Sequence, residues 1–196
     1  MRTVKSRNVP PEGRRTFLFS KPYGVVSQFT PAGEHRSLAE FGPFPKDVYP
    51  VGRLDWDSEG LLVLTNDNAL KHRLTDPALK HPRTYLVQVE RVPEESALQR
   101  LREGIMIEGR ITLPAEVHLL GTEPDLPPRP VPIRFRKNVP TAWIALTLVE
   151  GRNRQVRKMT AAVGHPTLRL VRVKMGEYSL GTLRPGESVS VGSAEK

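Results

Sequence analysis

Short apolar runs separated by turn-forming residues dominate the chain, and this rhythm predicts small strands and helices rather than long elements. Phe17-Leu18-Phe19 reads as a strand stopped by Lys21-Pro22-Tyr23-Gly24, a turn with proline and glycine well placed. Residues 25–50 are punctuated by Pro31, Gly33, Gly42, Pro43, Pro45 and Pro50, and are expected to be loop with little regular structure. Leu61 to Leu64 is a buried strand, after which Asn68 is placed to cap a short helix, Ala69 to Leu74, ending before Pro77.

The second half continues the pattern. Thr84 to Glu90 alternates Tyr85, Val87 and Val89 against Leu86 and Gln88, as a strand does. Pro93 to Glu103 is expected as a helix, with proline near its first turn and Gly104 just past its end. Ile105 to Leu120 reads as two strands around Glu108-Gly109-Arg110, a hairpin signal. The six prolines between Pro124 and Pro140 mark an extended connector, because proline fixes φ and lacks the amide hydrogen. Ala142 to Val149 is a further strand, Asn153 to Val163 a helix, and a last pair of strands falls within Leu168 to Val191. Strands outnumber helices and short turns link most neighbours, so the fold class is α+β with a mixed, mostly antiparallel sheet.

Composition narrows the picture. A chain of 196 residues with a 38% hydrophobic fraction can bury one core, or two intimately packed lobes. Thirty Lys and Arg against 21 Asp and Glu leave a net charge of +9, which suits a polyanionic partner. Between Asp125 and Glu177 the only acid is Glu150, while 11 Lys and Arg occupy the same interval. A merely solvated face would mix both signs, so one strongly positive face or cleft is expected, and nucleic acid is its natural partner. The absence of cysteine excludes disulfides and thiolate metal sites. No apolar run approaches the roughly 18 residues of a membrane span. Residues 1–15 carry five basic side chains and one acid with no apolar stretch, which suggests a flexible basic arm rather than a signal peptide, and a cytoplasmic location.

Three features could carry chemistry. Asp55, Asp57 and Glu59 recur at every second position and, if extended, would share a face able to hold a divalent metal for phosphoryl transfer. Arg53 competes for those carboxylates and no histidine joins them, so a polar turn capping the next strand is the default for Asp57, Ser58 and Glu59. Asp55, at the mouth of the apolar segment beside Arg53, is the candidate nucleophile of an enzyme working on RNA. In the helix over 153–163, Val156, Met159 and Val163 fall within about 60° and face the core, with Arg154, Arg157 and Lys158 on the other side. Arg157 lies nearest the border, where a half-buried arginine needs a carboxylate partner. Asp55 is a candidate for it, since such a pair orients a carboxylate nucleophile, although spacing alone does not decide the contact.

Gly52-Arg53-Leu54-Asp55, continued by Asp57-Ser58-Glu59-Gly60-Leu61-Leu62-Val63-Leu64-Thr65-Asn66, closely resembles the catalytic motif of the pseudouridine synthases that modify ribosomal RNA. The resemblance extends through Lys21 to Gly24, Arg83-Thr84-Tyr85, Leu113-Pro114-Ala115, Glu150 to Met159 and Gly164 to Arg172. These blocks stand in family order over about residues 16–188, and Pro132 to Lys137 points to members acting on the large subunit. The resemblance implies a family fold of two lobes around a basic cleft, over 16–190, followed by a tail, 191–196. It implies isomerisation of one uridine to pseudouridine by a monomer, without metal or cofactor, in ribosome biogenesis.

By position, Asp55 matches the nucleophile, Tyr85 the tyrosine stacked on the flipped base, and Arg157 the arginine paired with the catalytic Asp. Leu170, with Leu168 as second choice, matches an apolar contact to the base. Arg53 is expected either to contact RNA or to bridge to Asp57. Two departures stand out. Many members carry a small RNA-binding domain ahead of the catalytic part where this chain has its arm. Trp56 stands where a basic or polar residue is common, and either stacks on a base or simply packs. The rival from another class is a non-catalytic RNA-binding or ribosome-assembly protein on the same scaffold.

Overall fold

Strand β1 (Thr16–Lys21) and strand β3 (Glu59–Thr65) form the first half of the sheet, with the short β2 (Tyr49–Pro50) added to β3. This computed structural model describes residues 13–133 and 138–191. All seven residues of β3 are buried. Because strand side chains alternate, Leu61 and Val63 enter one apolar cluster while Leu62 and Leu64 enter another on the opposite face. The second face is covered by the stretch expected to be loop. Val25, Leu38 and Val48 pack there with Phe29, Phe41 and Phe44, and Leu38–Phe41 forms a 3₁₀ turn. Those prolines and glycines break regular structure, but the apolar residues between them still bury.

Helix α1 (Asn68–Thr75) follows, capped one residue earlier than expected. The Asp67 carboxylate accepts from the Ala69 and Leu70 amides at 2.9 and 3.2 Å. Strand β4 (Arg83–Glu90) leads to α2 (Glu95–Glu103), which starts two residues after Pro93 and ends at Gly104 as expected. The hairpin is real but small: β5 (Met106–Ile107) pairs only with β6 (Arg110–Ile111) across Glu108 and Gly109, both at positive φ. A third segment, β7 (Glu116–Leu119), joins the main sheet instead. Strand β8 (Thr141–Leu148), helix α3 (Gln155–Ala162), β9 (Thr167–Met175), β10 (Tyr178–Ser179) and β11 (Ser188–Val191) complete the order.

The main path runs β11-β1-β3-β9-β4-β8-β7, and every pairing on it is antiparallel except one. The exception joins the two halves: β3 and β9 run parallel and share only two residue pairs, Glu59 with Val171 and Gly60 with Arg172. Gly60 makes this junction possible. Its φ is +98°, and a Cβ there would lie 2.3 Å from the Arg172 carbonyl oxygen. The β4–β9 half packs α2 and α3 against Val87, Val117, Ile144 and Leu146. Two lobes therefore meet along a narrow seam.

The ends of the chain refine the expected boundaries. Most of the basic arm, residues 1–12, lies outside the described residues, as does the tail over 192–196. Arg15 is not part of a free arm, because its amide donates to Asn66 Oδ1 at 2.7 Å. Val191 belongs to β11 rather than to the tail. Among the described residues no helix is long and apolar enough to cross a membrane.

Candidate active site

The turn over 52–58 delivers Asp55 to the seam, and several hydrogen bonds fix its backbone. The Ser27 hydroxyl donates to the Leu54 carbonyl at 2.8 Å and accepts from the Leu54 amide at 3.0 Å. The Ser58 amide donates to the Asp55 carbonyl at 3.0 Å, and the Gly24 amide to the Trp56 carbonyl at 2.8 Å. Leu54 is buried and anchors the turn from below. The Asp55 side chain keeps 36% of its surface exposed.

Beside it opens a cleft of about 370 Å³, lined among others by Asp55, Arg53, Tyr85, Arg154, Leu170 and Arg172. That volume lies within the range of pockets that enclose small ligands. Tyr85 of β4 sits opposite Arg172 of β9, and Leu170 faces Val87 two residues along. Asp55, Tyr85, Leu170 and Arg53, all singled out from sequence, thus line one cavity. Leu168, the second choice, is not among its lining residues.

Arg157 departs from expectation. The ion pair on Asp55 comes from Arg154, whose Nη1 lies 3.3 Å from Oδ2. Arg157 instead binds Asp57, donating to its carbonyl oxygen at 2.8 Å with its carboxylate 3.3 Å away. The cause is where α3 begins. Arg154 precedes the helix at φ 50°, in the left-handed region, and this turns its side chain back onto the 52–58 turn. Arg154 also holds Asp57, at 2.8 Å, so Asp57 sits between two guanidinium groups. Burial pushes the Asp57 carboxyl up, but the Arg154 hydrogen bond and the Arg157 charge outweigh it and hold the group below the usual carboxylate range. Burial lowers Arg157 itself. The expected alternative for Arg53, a bridge to Asp57, is not formed, and Arg53 is exposed.

Other cations in the basic segment are also engaged within the fold. Arg169 forms a bidentate, buried pair with Glu59, both contacts at 2.9 Å, and donates to the Pro127 carbonyl at 2.8 Å. Arg152 donates to the Ile107 carbonyl at 2.8 Å, and Lys158 reaches Glu108 at 2.6 Å. Glu150, the lone acid of that stretch, accepts from the Leu113 amide at 2.9 Å and from Gln155. Charge density in the sequence therefore overstates the free positive surface. Glu59 is fully committed to Arg169, so the three-carboxylate metal face does not assemble, and no acidic or histidine cluster that could hold a metal exists among the described residues.

A model of the family described as RNA pseudouridylate synthase matches residues 15–162. The chain belongs to the RNA pseudouridylate synthase family. It is 58% identical over 170 residues to the ribosomal large subunit pseudouridine synthase E of Xanthomonas axonopodis pv. citri, covering 86% of this chain and 89% of the relative. To the enzyme of the same name from Vibrio parahaemolyticus it is 51% identical, over 90% of this chain and 73% of the relative. Among solved structures, one described as a pseudouridylate synthase superimposes with a TM-score of 0.76 at 29% identity, covering 92% of this chain and 71% of the other.

Within this family member, two buried cations, one near the cleft and one lining it, were given no role in the sequence reading. Lys21 is fully buried and donates to the carbonyls of Pro22 and Val25 at 3.0 and 2.6 Å. Burial lowers its ammonium from 10.5 to about 7, against the raising effect of Glu59, Asp57 and Asp55. Arg172 is buried against Tyr85, donates from Nε to the Leu61 carbonyl at 2.8 Å, and leaves Nη2 without a partner. Burial pushes its guanidinium below its ordinary value, with Tyr85 opposing. The signal for Lys21 was its place in Lys-Pro-Tyr-Gly, read as a turn and as a block of the family resemblance without a role for the lysine. Arg172 closes the block Gly164 to Arg172, but nothing in β9, where Arg169, Arg172 and Lys174 are interspersed with apolar residues, marks it as buried.

Proposed function

We propose that this protein converts one uridine of large-subunit ribosomal RNA to pseudouridine, with Asp55 as nucleophile. The observation that carries the reading is a partly exposed carboxylate on a pinned turn, opening into a cleft that Tyr85, Leu170 and several arginines also line. Relatives 58% and 51% identical carry the name of a large-subunit enzyme, which supports the choice of RNA.

The target uridine leaves its stack and enters the cleft, which costs a few kcal/mol in unstacking. Tyr85 stacks on the base and Leu170 bounds it, confining the ring while it is free of the ribose. Asp55 attacks C1′ as the N1–C1′ bond breaks, the freed uracil turns, and C5 then displaces the Asp55 carboxylate from C1′ as the C5–C1′ bond forms. The proton lost from C5 is balanced by one gained at N1, with Tyr85 assisting removal, so the reaction is an isomerisation with no net oxidant or reductant. Arg154 orients the Asp55 carboxylate, while Arg157 holds the turn through Asp57 and so acts on the nucleophile indirectly. Arg53, exposed and unpaired among the described residues, contacts the RNA backbone or the flipped nucleotide. All these residues belong to one chain, so a monomer suffices, and ribosomal RNA as substrate implies a cytoplasmic site of action.

The test is to map pseudouridine in unmodified large-subunit ribosomal RNA treated with wild type and with Asp55→Ala. The reading predicts one modified site with wild type and none with the variant. Equal modification by both would overturn the role of Asp55. Modification by neither, with RNA still bound, would favour a non-catalytic binder on this scaffold.

A further inference from the structure

Trp56 follows Asp55 directly and keeps 41% of its surface exposed, whereas the only other tryptophan, Trp143, is 5% exposed. A side chain of that size usually buries most of its apolar area, and leaving it open gives up stability the fold could have had. Trp56 is nevertheless rigidly held. The His35 ring stacks on it with centroids 4.7 Å apart and planes 19° from parallel. Tyr23 meets it edgewise at 5.6 Å. Arg129 in turn lies over the Tyr23 ring, 4.3 Å from its centroid.

Three aromatic rings and a guanidinium are thus drawn together from three segments: the loop after β1, the 52–58 turn and the proline-rich connector. Two of these residues, Tyr23 and His35, come from the loop after β1, whose Phe29, Phe41 and Phe44 instead pack against a buried apolar cluster. A pre-ordered, partly open indole beside a cation matches what unpaired nucleobases bind. They stack on aromatic faces with little sequence preference, while nearby cations meet the phosphates. When the target uridine leaves the stack, its neighbour in the RNA loses a stacking partner. An indole one residue from the nucleophile can replace it.

We propose that Trp56, braced by His35 and Tyr23, is a stacking platform for the base of a nucleotide adjoining the target uridine, with Arg129 placed for the connecting phosphate. This rests on the pseudouridine-synthase reading of the cleft. It is tested with Trp56→Ala and Trp56→Phe, protein-free large-subunit ribosomal RNA as probe, and two readouts. For Trp56→Ala we expect KM to rise about tenfold, equivalent to about 1.4 kcal/mol and at the low end of one base–aromatic stack, while kcat changes by less than about threefold. Trp56→Phe should recover most of the loss. Independently, the fluorescence of wild type minus that of Trp56→Phe should be quenched as RNA saturates the protein.

An unquenched difference signal at saturating RNA would overturn the platform, as would a Trp56→Ala variant with wild-type KM. A wild type that makes no pseudouridine would overturn the functional reading instead, so the two failures are distinguishable.

Discussion

Glu59 and Asp55 stand four residues apart in one segment, each facing an arginine, yet the two pairs differ in almost everything else. Glu59 and Arg169 are 5% and 9% exposed and meet bidentately at the seam between the lobes. Asp55 and Arg154 are 36% and 38% exposed and touch through one contact at 3.3 Å. In the first pair both carboxylate oxygens are engaged by Arg169 and water is largely excluded, so the pair holds structure together. In the second, the carboxylate is oriented but left open toward a cleft. The same residue types make a fastener when water is excluded and leave a carboxylate available for the proposed chemistry when one side stays free.

The sharpest way to break this contrast is to remove one member of the buried pair. Arg169→Ala strands an unpaired carboxylate at the seam and should cost about 3–5 kcal/mol of stability, read by denaturant unfolding. A loss under about 1 kcal/mol would mean that Glu59 is solvated and the two pairs are alike. Next in size is Arg154→Ala: Arg154 is itself 38% exposed and its more buried partner Asp57 keeps Arg157, so the stability cost should be small, about 1 kcal/mol. Its effect should fall on turnover, roughly tenfold to a hundredfold lower at saturating RNA, because the proposed nucleophile, Asp55, loses its orienting contact. If unfolding shifts more than turnover does, Arg154 belongs with the fasteners.

The smallest effect concerns Lys21, a buried cation that feels the carboxylates of both pairs. Its folded value near 7 lies below the ordinary 10.5, so between these limits the unfolded chain binds the extra proton. The penalty for burying Lys21 is full below pH 7 and is relieved as pH rises toward 10. Wild-type stability relative to Lys21→Met should therefore increase between pH 7.5 and 9, by at most about 1.4 kcal/mol per pH unit. A pH-independent difference would show that Lys21 stays charged in the fold.

Much of this was legible in sequence where the information is local. The end of α2 at Gly104, the hairpin at Glu108-Gly109, the β4 alternation and the irregular backbone over 124–133, the described first part of the connector, all follow from turn chemistry and side-chain period. The cleft's Asp55, Tyr85 and Leu170 were legible through the family's motifs, and the chain does belong to that family. What stayed hidden depends on long-range contact or on a single dihedral angle. The parallel β3–β9 seam joins residues more than a hundred positions apart through two pairs, with no periodic signal. The exchange of Arg157 for Arg154 at Asp55 turns on a left-handed residue just before α3, which a helix drawn from Asn153 cannot contain. The cation-rich stretch suggested a free positive face, but its acids and carbonyl partners lie far away in sequence, at Glu59, Asp57 and Glu108.

The central claim is that Asp55 performs the chemistry while contributing little to the fold. Release of tritium from ribosomal RNA labelled at uridine C5 reads the exchange of the glycosidic bond from nitrogen to carbon directly. Asp55→Asn should release none above background while unfolding at the wild-type midpoint and binding RNA with wild-type affinity. Release at the wild-type rate by that variant would contradict the account.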